Sequence, residues 1–243
     1  MNRLNQIYHV ARCGSTLLTA LVSNCERTFS EPSWTHGLFG TKICPDEITD
    51  YYGSIVKLQS IATRIGFKPT GPKVFLYRPL AQYLYKMSTC STDWIDNRKQ
   101  LYGTWWDQIK GQELNHLEPE TILQLHAIFW SACVLEMQKT DNVLWIESNT
   151  FFSNKEETAK QVLAHFDKKG TPEMEFSSVN VKSLNLNGGK IDPLSKYITE
   201  SIQNVSTTHG IVDTTIALEN NQINNTLQWA YSNLPVDLKL YFL

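Results

Sequence analysis

The chain has 243 residues, 42% hydrophobic and 11% aromatic, enough for one large domain with a substantial core and too apolar for disorder. A formal net charge of −2 supplies no basic field of the kind that nucleic acid attracts, so a nucleic-acid binder is not expected. The five cysteines (Cys13, Cys25, Cys44, Cys90 and Cys133) are odd in number and widely spaced, and none forms a C-x-x-C pair; this is the usage of reduced thiols rather than of a disulfide frame.

Gln6–Val10 is a short apolar run with the pattern of a buried parallel strand. A tight polar turn follows, then an apolar helical stripe of Leu17, Leu18, Leu21 and Val22 over about Ser15 to Ser23. Ile55, Leu58, Ile61 and Ile65 recur at helical spacing behind Pro45-Asp46-Glu47, which predicts a second helix stopped at Gly66. Val74–Tyr77 and Val143–Ile146 read as further buried strands. Between them Glu118-Pro119-Glu120 opens a long helix, with acidic residues at its positive end. The apolar face of that helix is Ile122, Leu125, Ile128, Phe129, Ala132 and Leu135. Ser153-Asn154-Lys155-Glu156 has the pattern of a capping box ahead of Ala159, Val162, Leu163 and Phe166. The polar stretch from Gly170 to Gly189 reads as loop, and Asp192-Pro193 starts a helix through Tyr197, Ile198 and Ile202.

Strands alternating with helices predict an α/β fold with a central, largely parallel sheet flanked by helices. A single domain over residues 1–243 is expected, to which the part from about 170 onward adds helices and loops. No apolar run reaches membrane-span length, and the N-terminus has no signal-peptide pattern, so a cytoplasmic protein is expected.

Three segments carry chemistry. In Arg12-Cys13-Gly14-Ser15-Thr16, a glycine, two hydroxyls and a cation sit where a strand turns into a helix. The first N–H groups of a helix lack intrahelical acceptors and carry partial positive charge, so such a turn suits a phosphate or sulfate. The Walker signature G-x-x-x-x-G-K-[ST] is absent, because no lysine follows Gly14. Phe29-Ser30-Glu31-Pro32 returns towards the sheet's carboxyl edge, which would set Glu31 beside the first loop's ligand. Lys73–Tyr77 then delivers Arg78 to the same edge, and its planar fork can bond two oxygens of a second phosphate.

Together these segments resemble the sulfotransferases that use 3′-phosphoadenosine-5′-phosphosulfate (PAPS). The family's first loop often reads [RK]-[ST]-G-[ST]-[ST], which Arg12–Thr16 follows except at Cys13. Ser30-Glu31-Pro32 is similar to the element that carries the catalytic base in many bacterial and protein-modifying members. Arg78 matches the arginine that ends the family's third strand. The family's serine eight residues on is replaced by Lys86, with Ser88 two residues further. Val143–Asn149 and the helix to Phe166 keep only the layout of the family's late strand and turn. The C-terminal R-K-G-x-x-G loop is missing, and Ser183 to Lys190 stands in the corresponding region. The resemblance covers roughly residues 5–166.

The resemblance implies a three-layer P-loop-like fold and transfer of a sulfuryl group from PAPS to a hydroxyl acceptor. Arg12, Cys13, Gly14, Ser15, Thr16 and Leu17 would hold the 5′-phosphosulfate, with Arg12 also stabilising the leaving oxygen. Arg78 with Lys86, Ser88 or both would bind the 3′-phosphate. Glu31 would accept the acceptor's proton, with His36 as the reserve candidate. No metal is implied, and the sequence holds no compact ligand cluster. The acceptor would be a hydroxyl on a small molecule, carbohydrate, lipid or peptide tyrosine, and a homodimer is compatible with the chain. Glu31 as a solvated carboxylate and Arg78 as a structural ion pair stay open, as does the aromatic group Trp94, Tyr102, Trp105 and Trp106 as acceptor lid or core. Two other functions also stay open: a divergent P-loop kinase, and a nucleotide-binding member without turnover.

Overall fold

A computed structural model describes residues 3–23, 25–26, 28–30, 52–59, 63–64, 69–89, 106–172 and 210–243. Its centre is strand β1, Asn5–His9, in which every residue is buried. The strand is covered on both faces, and it buries Asn5, Gln6 and His9 together with Ile7 and Tyr8, so its polar groups need partners inside the fold. Several of its polar groups are paired internally, although Asn5 Oδ1 has no hydrogen-bond partner among the described residues. Asn5 Nδ2 donates to the carbonyls of Gly53 (3.1 Å) and Ser54 (3.3 Å), and Tyr8 Oη donates to Gln6 Oε1 at 2.7 Å.

The other strands are β2 (Thr28–Ser30), β3 (Ile55–Gln59), β4 (Lys73–Tyr77) and β5 (Val143–Glu147). They form a five-stranded sheet in the order β2-β3-β1-β4-β5, and every pairing is parallel. The expected α/β fold with a parallel sheet and flanking helices is what forms. The connection from β1 leads to one side, where β2 and β3 lie, and the chain then crosses to the other side for β4 and β5. The cleft between the carboxyl ends of β1 and β4 is therefore the topological switch point, where open α/β sheets bind ligands.

Two separate groups of helices flank the sheet. Helix α1 (Ser15–Val22) packs on α6 (Lys155–His165), which follows the short α5 (Ser148–Ser153). In the other group, α2 (Leu80–Ser88) packs with α4 (Ile122–Gln138), α7 (Thr214–Glu219) and α8 (Asn221–Asn233). Residues 106–114 form α3. A terminal 3-10 turn, Val236–Tyr241, packs on α4. Phe242 O accepts the Ala81 N–H at 2.9 Å, so the chain's end caps the first turn of α2. Among the described residues no helix is long and apolar enough to cross a membrane.

Three expectations change. The stripe Ile55, Leu58, Ile61 and Ile65 is not a helix at its start: Ile55–Gln59 is strand β3, paired with β1 and β2. Ile55, Val56, Lys57 and Leu58 are buried in succession, and a run buried on both faces leaves no period by which to tell strand from helix. The β-branched pair Ile55-Val56 was the local signal for a strand.

The long helix starts at Ile122 rather than at Glu118. Thr121 is its N-cap and accepts the Gln124 N–H at 3.2 Å, while Gln124 Oε1 accepts the Glu120 N–H at 2.7 Å. That reciprocal pair satisfies two backbone donors in the manner of a capping box. The box expected at Ser153–Glu156 does not form, because no side chain caps α6. Ser153 instead ends α5, and Asn154 N–H closes that helix on Thr150 O at 3.0 Å. The helix expected after Asp192-Pro193 lies outside the described residues.

Candidate anion-binding site

The loop at the switch point, Ala11–Gly14, is held in a conformation that few residues adopt. Arg12 has φ 60° and Gly14 φ 95°. Left-handed backbone at Gly14 costs little without a Cβ, whereas Arg12 needs surrounding structure to hold it there. That structure comes from the neighbouring strand ends. Arg78 Nε donates to Arg12 O at 3.2 Å, and Ser148 Oγ donates to Cys13 O at 2.7 Å. Those two bonds fix the loop backbone, and helix amides past Ser15, such as Thr16 and Leu17, have no intrahelical acceptor by position. Gly14 is also required by space: a Cβ there would lie 2.7 Å from Phe152 Cζ and 3.0 Å from Phe151 Cε1.

Two buried cations flank this loop. Lys57, on β3, is 4% exposed and donates to Thr16 Oγ1 at 3.0 Å. Arg78 follows β4, two residues past the Leu76–His9 pair, and is 0% exposed. Its guanidinium donates to the carbonyls of Arg12 and Gly210 (3.1 Å) and to Asn149 Oδ1 (3.4 Å), and its own carbonyl accepts from Trp130 Nε1 at 2.8 Å. Phe152 faces it, with the ring centre 6.0 Å from Cζ. Burial pushes Arg78 down to about 10, which still leaves it charged at neutral pH. Among the described residues no carboxylate pairs with it.

Cys13 stands where the related motif has a hydroxyl. It is fully buried, and burial pushes its thiol up to about 11, against the opposing pull of Arg78, of contacts from Ser15 and of Lys57. A thiol in that state is a packed side chain rather than a nucleophile. Ser15 approaches the sulfur with both its backbone N–H and its hydroxyl, so part of the helix start is turned inward.

The structure thus gathers Arg12, Cys13, Gly14, Ser15, Thr16, Leu17 and Arg78 at one edge. Lys86 and Ser88 lie in the last turn of α2, roughly 9 and 12 Å along the axis from Leu80, and Ser88 Oγ donates to Tyr85 O at 2.8 Å. Strand β2 ends at Ser30, and Glu31 directly after it lies outside the described residues, as do His36, Trp94, Tyr102, Trp105 and residues 183–190. Trp106 is half-buried at the start of α3, with Lys110 Nζ 5.6 Å from its ring centre.

Sequence reasoning missed Lys57, Ser148 and Asn149 as parts of this edge. Lys57 had a readable signal, a lone cation inside Ile55–Leu58, since a lysine in a buried run needs a polar or anionic partner. Among the described residues no cluster of His, Cys, Asp and Glu has the makings of a metal site. Compared with protein-family models and with curated proteins, the chain finds no match. Fold and site together define a parallel α/β protein with a cationic, amide-lined cradle at its switch point.

Proposed function

We propose that this protein is a sulfotransferase that moves a sulfuryl group from PAPS to a hydroxyl acceptor. The observation that carries the reading is the fully buried Arg78 guanidinium beside the Ala11–Gly14 loop, held among the described residues by the neutral acceptors Arg12 O, Asn149 Oδ1 and Gly210 O. Among the described residues Arg78 has no ion-pair partner, burying such a charge costs several kcal/mol, and an anionic ligand offsets that cost. The resemblance of Arg12–Thr16, Ser30-Glu31-Pro32 and Arg78 to the PAPS-dependent family supplies the identity of the anion.

In this reading the loop amides hold the phosphosulfate together with Arg12 and with Thr16, which Lys57 orients. Arg78 takes the 3′-phosphate, with Lys86, Ser88 or both. Glu31 accepts the proton of the acceptor hydroxyl. The acceptor oxygen bonds to sulfur as the bond from sulfur to the bridging phosphate oxygen breaks, which leaves adenosine 3′,5′-bisphosphate. Arg12 and Lys57 balance the charge on that departing oxygen, so the chemistry rests on positioning and electrostatics without a metal. The acceptor is a small molecule, carbohydrate, lipid or peptide that presents a hydroxyl.

Incubation with PAPS labelled in the sulfuryl group, against a panel of hydroxyl acceptors, tests the reading. Transfer to at least one acceptor, lost in Glu31→Gln with nucleotide binding kept, is the expected result. Full transfer by Glu31→Gln removes that residue from the chemistry. Cys13 favours a second reading, a nucleotide-binding member without turnover, because a fully buried thiol replaces the hydroxyl of the related loop. Tight nucleotide binding with no transfer to any acceptor is the outcome that selects it.

A further inference from the structure

Residues Gly210–Val212 run over the end of β4 and lie directly on Arg78. Gly210 O accepts from Arg78 Nη2 at 3.1 Å. Two residues on, Val212 N–H donates to Asn149 Oδ1 at 3.1 Å, and Val212 O accepts from Asn149 Nδ2 at 3.0 Å. The Asn149 amide therefore pairs with this segment as a neighbouring strand would, while its Oδ1 also receives Arg78 Nη1. Beneath the segment lies Phe152: a Cβ on Gly210 would sit 3.8 Å from that ring, which also abuts Gly14. Just beyond, the chain is anchored. Asp213 Oδ1 caps α7 by accepting the Thr215 N–H at 2.8 Å, and Thr214 Oγ1 accepts from Gln82 Nε2 of α2 at 3.0 Å.

This strap gives Arg78 only neutral acceptors. A bond from a guanidinium to a phosphate oxygen is charged on both sides and markedly stronger than one to a peptide carbonyl. The position that Gly210 O occupies on Nη2 is one that a phosphate oxygen needs for a bidentate pair. We infer that Gly210–Val212 is a displaceable strap that keeps the second phosphate position on Arg78 closed in the free protein. Phosphate entry replaces Gly210 O on Arg78, and the strap lifts from Asn149 while Asp213 and Thr214 keep its far end in place. The inference rests on the reading of this edge as a nucleotide site. It deepens that reading by making affinity depend on the fraction of molecules with the strap lifted.

The test is hydrogen exchange at the Val212 amide together with titration of the full chain, using adenosine 3′,5′-bisphosphate and inorganic pyrophosphate as separate probes. A bound ligand ordinarily slows exchange nearby, whereas here binding must speed it at Val212. Asn149→Ala, which deletes both strap bonds, must speed that exchange without ligand and tighten the bound probe by about three- to tenfold. If the bisphosphate binds while Val212 stays protected, or Asn149→Ala weakens binding, the strap account is overturned and the nucleotide reading survives. If only pyrophosphate binds and releases Val212, the strap stands and the nucleotide reading falls. If neither probe binds, both fall.

Discussion

Arg64 and Arg78 are two guanidiniums shut away from solvent, yet the molecule treats them differently. The Arg64 side chain is 4% exposed, and it donates at 2.9 Å to the carbonyls of Ile109, Lys110 and Ala132. Glu113 and Glu136 lie 3.6 and 3.8 Å away and neutralise it, so it works as a bolt between α3 and α4. Arg78 has a similar set of neutral acceptors, but no carboxylate among the described residues. Its fall from 12.5 to about 10 through burial corresponds to a standing cost of about 3 kcal/mol at neutral pH. Two carboxylates lie at ion-pair distance from one arginine, whereas among the described residues the other has none at that range, and the only carboxylate charge acting on it is the more distant Glu147. On the proposed function, that difference is what a charge kept for a ligand would show.

The largest expected effects come from removing each arginine in turn. Arg64→Met removes the cation beside Glu136 and three bonds to backbone carbonyls, while Glu113 keeps Lys139, and should lower stability by about 2–4 kcal/mol in denaturant unfolding, with nucleotide affinity unchanged in the folded fraction. Arg78→Met deletes a charge that has no ion-pair partner among the described residues, so its stability loss should stay below about 2 kcal/mol while adenosine 3′,5′-bisphosphate binding is lost. Equal losses of stability would erase the contrast.

Gly14→Ala comes next, because it meets both the left-handed backbone and the Phe152 ring. A loss of about 1–3 kcal/mol is expected, and a thermal scan reads it as a clear drop in Tm. Lys57→Met should leave stability within about 1 kcal/mol and weaken the bisphosphate at least about tenfold, measured by titration.

The smallest effect is in the pH profile. The folded Cys13 thiol sits near 11 against an ordinary 9, so the native state holds this proton longer than the unfolded chain does. That contribution is complete below pH 9 and is lost as pH rises through 11, a slope of up to about 3 kcal/mol. Cys13→Ala should flatten the stability curve over this alkaline window and leave it unchanged near neutrality. An identical slope in both proteins removes Cys13 as its cause.

The frame of the fold was legible because Val74–Tyr77 and Val143–Ile146 are continuous apolar runs and Ile7-Tyr8 with Val10 leads straight into the glycine turn, and their pairing partners follow from a parallel layout. Strand β3 was not, since its apolar residues also fit a helical spacing and only its pairing with β1 and β2 decides between the two. Within the site, the loop could be read from Gly14 and its hydroxyls, and Arg78 from its place after a strand. What could not be read is the scaffolding. Ser148 reaches Cys13 O across 135 positions of sequence, and Gly210 reaches Arg78 across 132. No local pattern encodes contacts of that range. Lys57 lies between these cases: its burial was visible in the apolar run, but its reach to Thr16 depends on β3 lying beside β1.

The central proposal is that the buried Arg78 guanidinium serves a nucleotide with phosphates at both ends of its ribose. Calorimetric titration without magnesium, comparing adenosine 3′,5′-bisphosphate, adenosine 5′-monophosphate and ATP, addresses it most directly. The account predicts tight binding of the bisphosphate, at least about tenfold weaker binding of the monophosphate, and loss of that preference in Arg78→Met. Preference for ATP, with affinity that rises on adding magnesium, would contradict it.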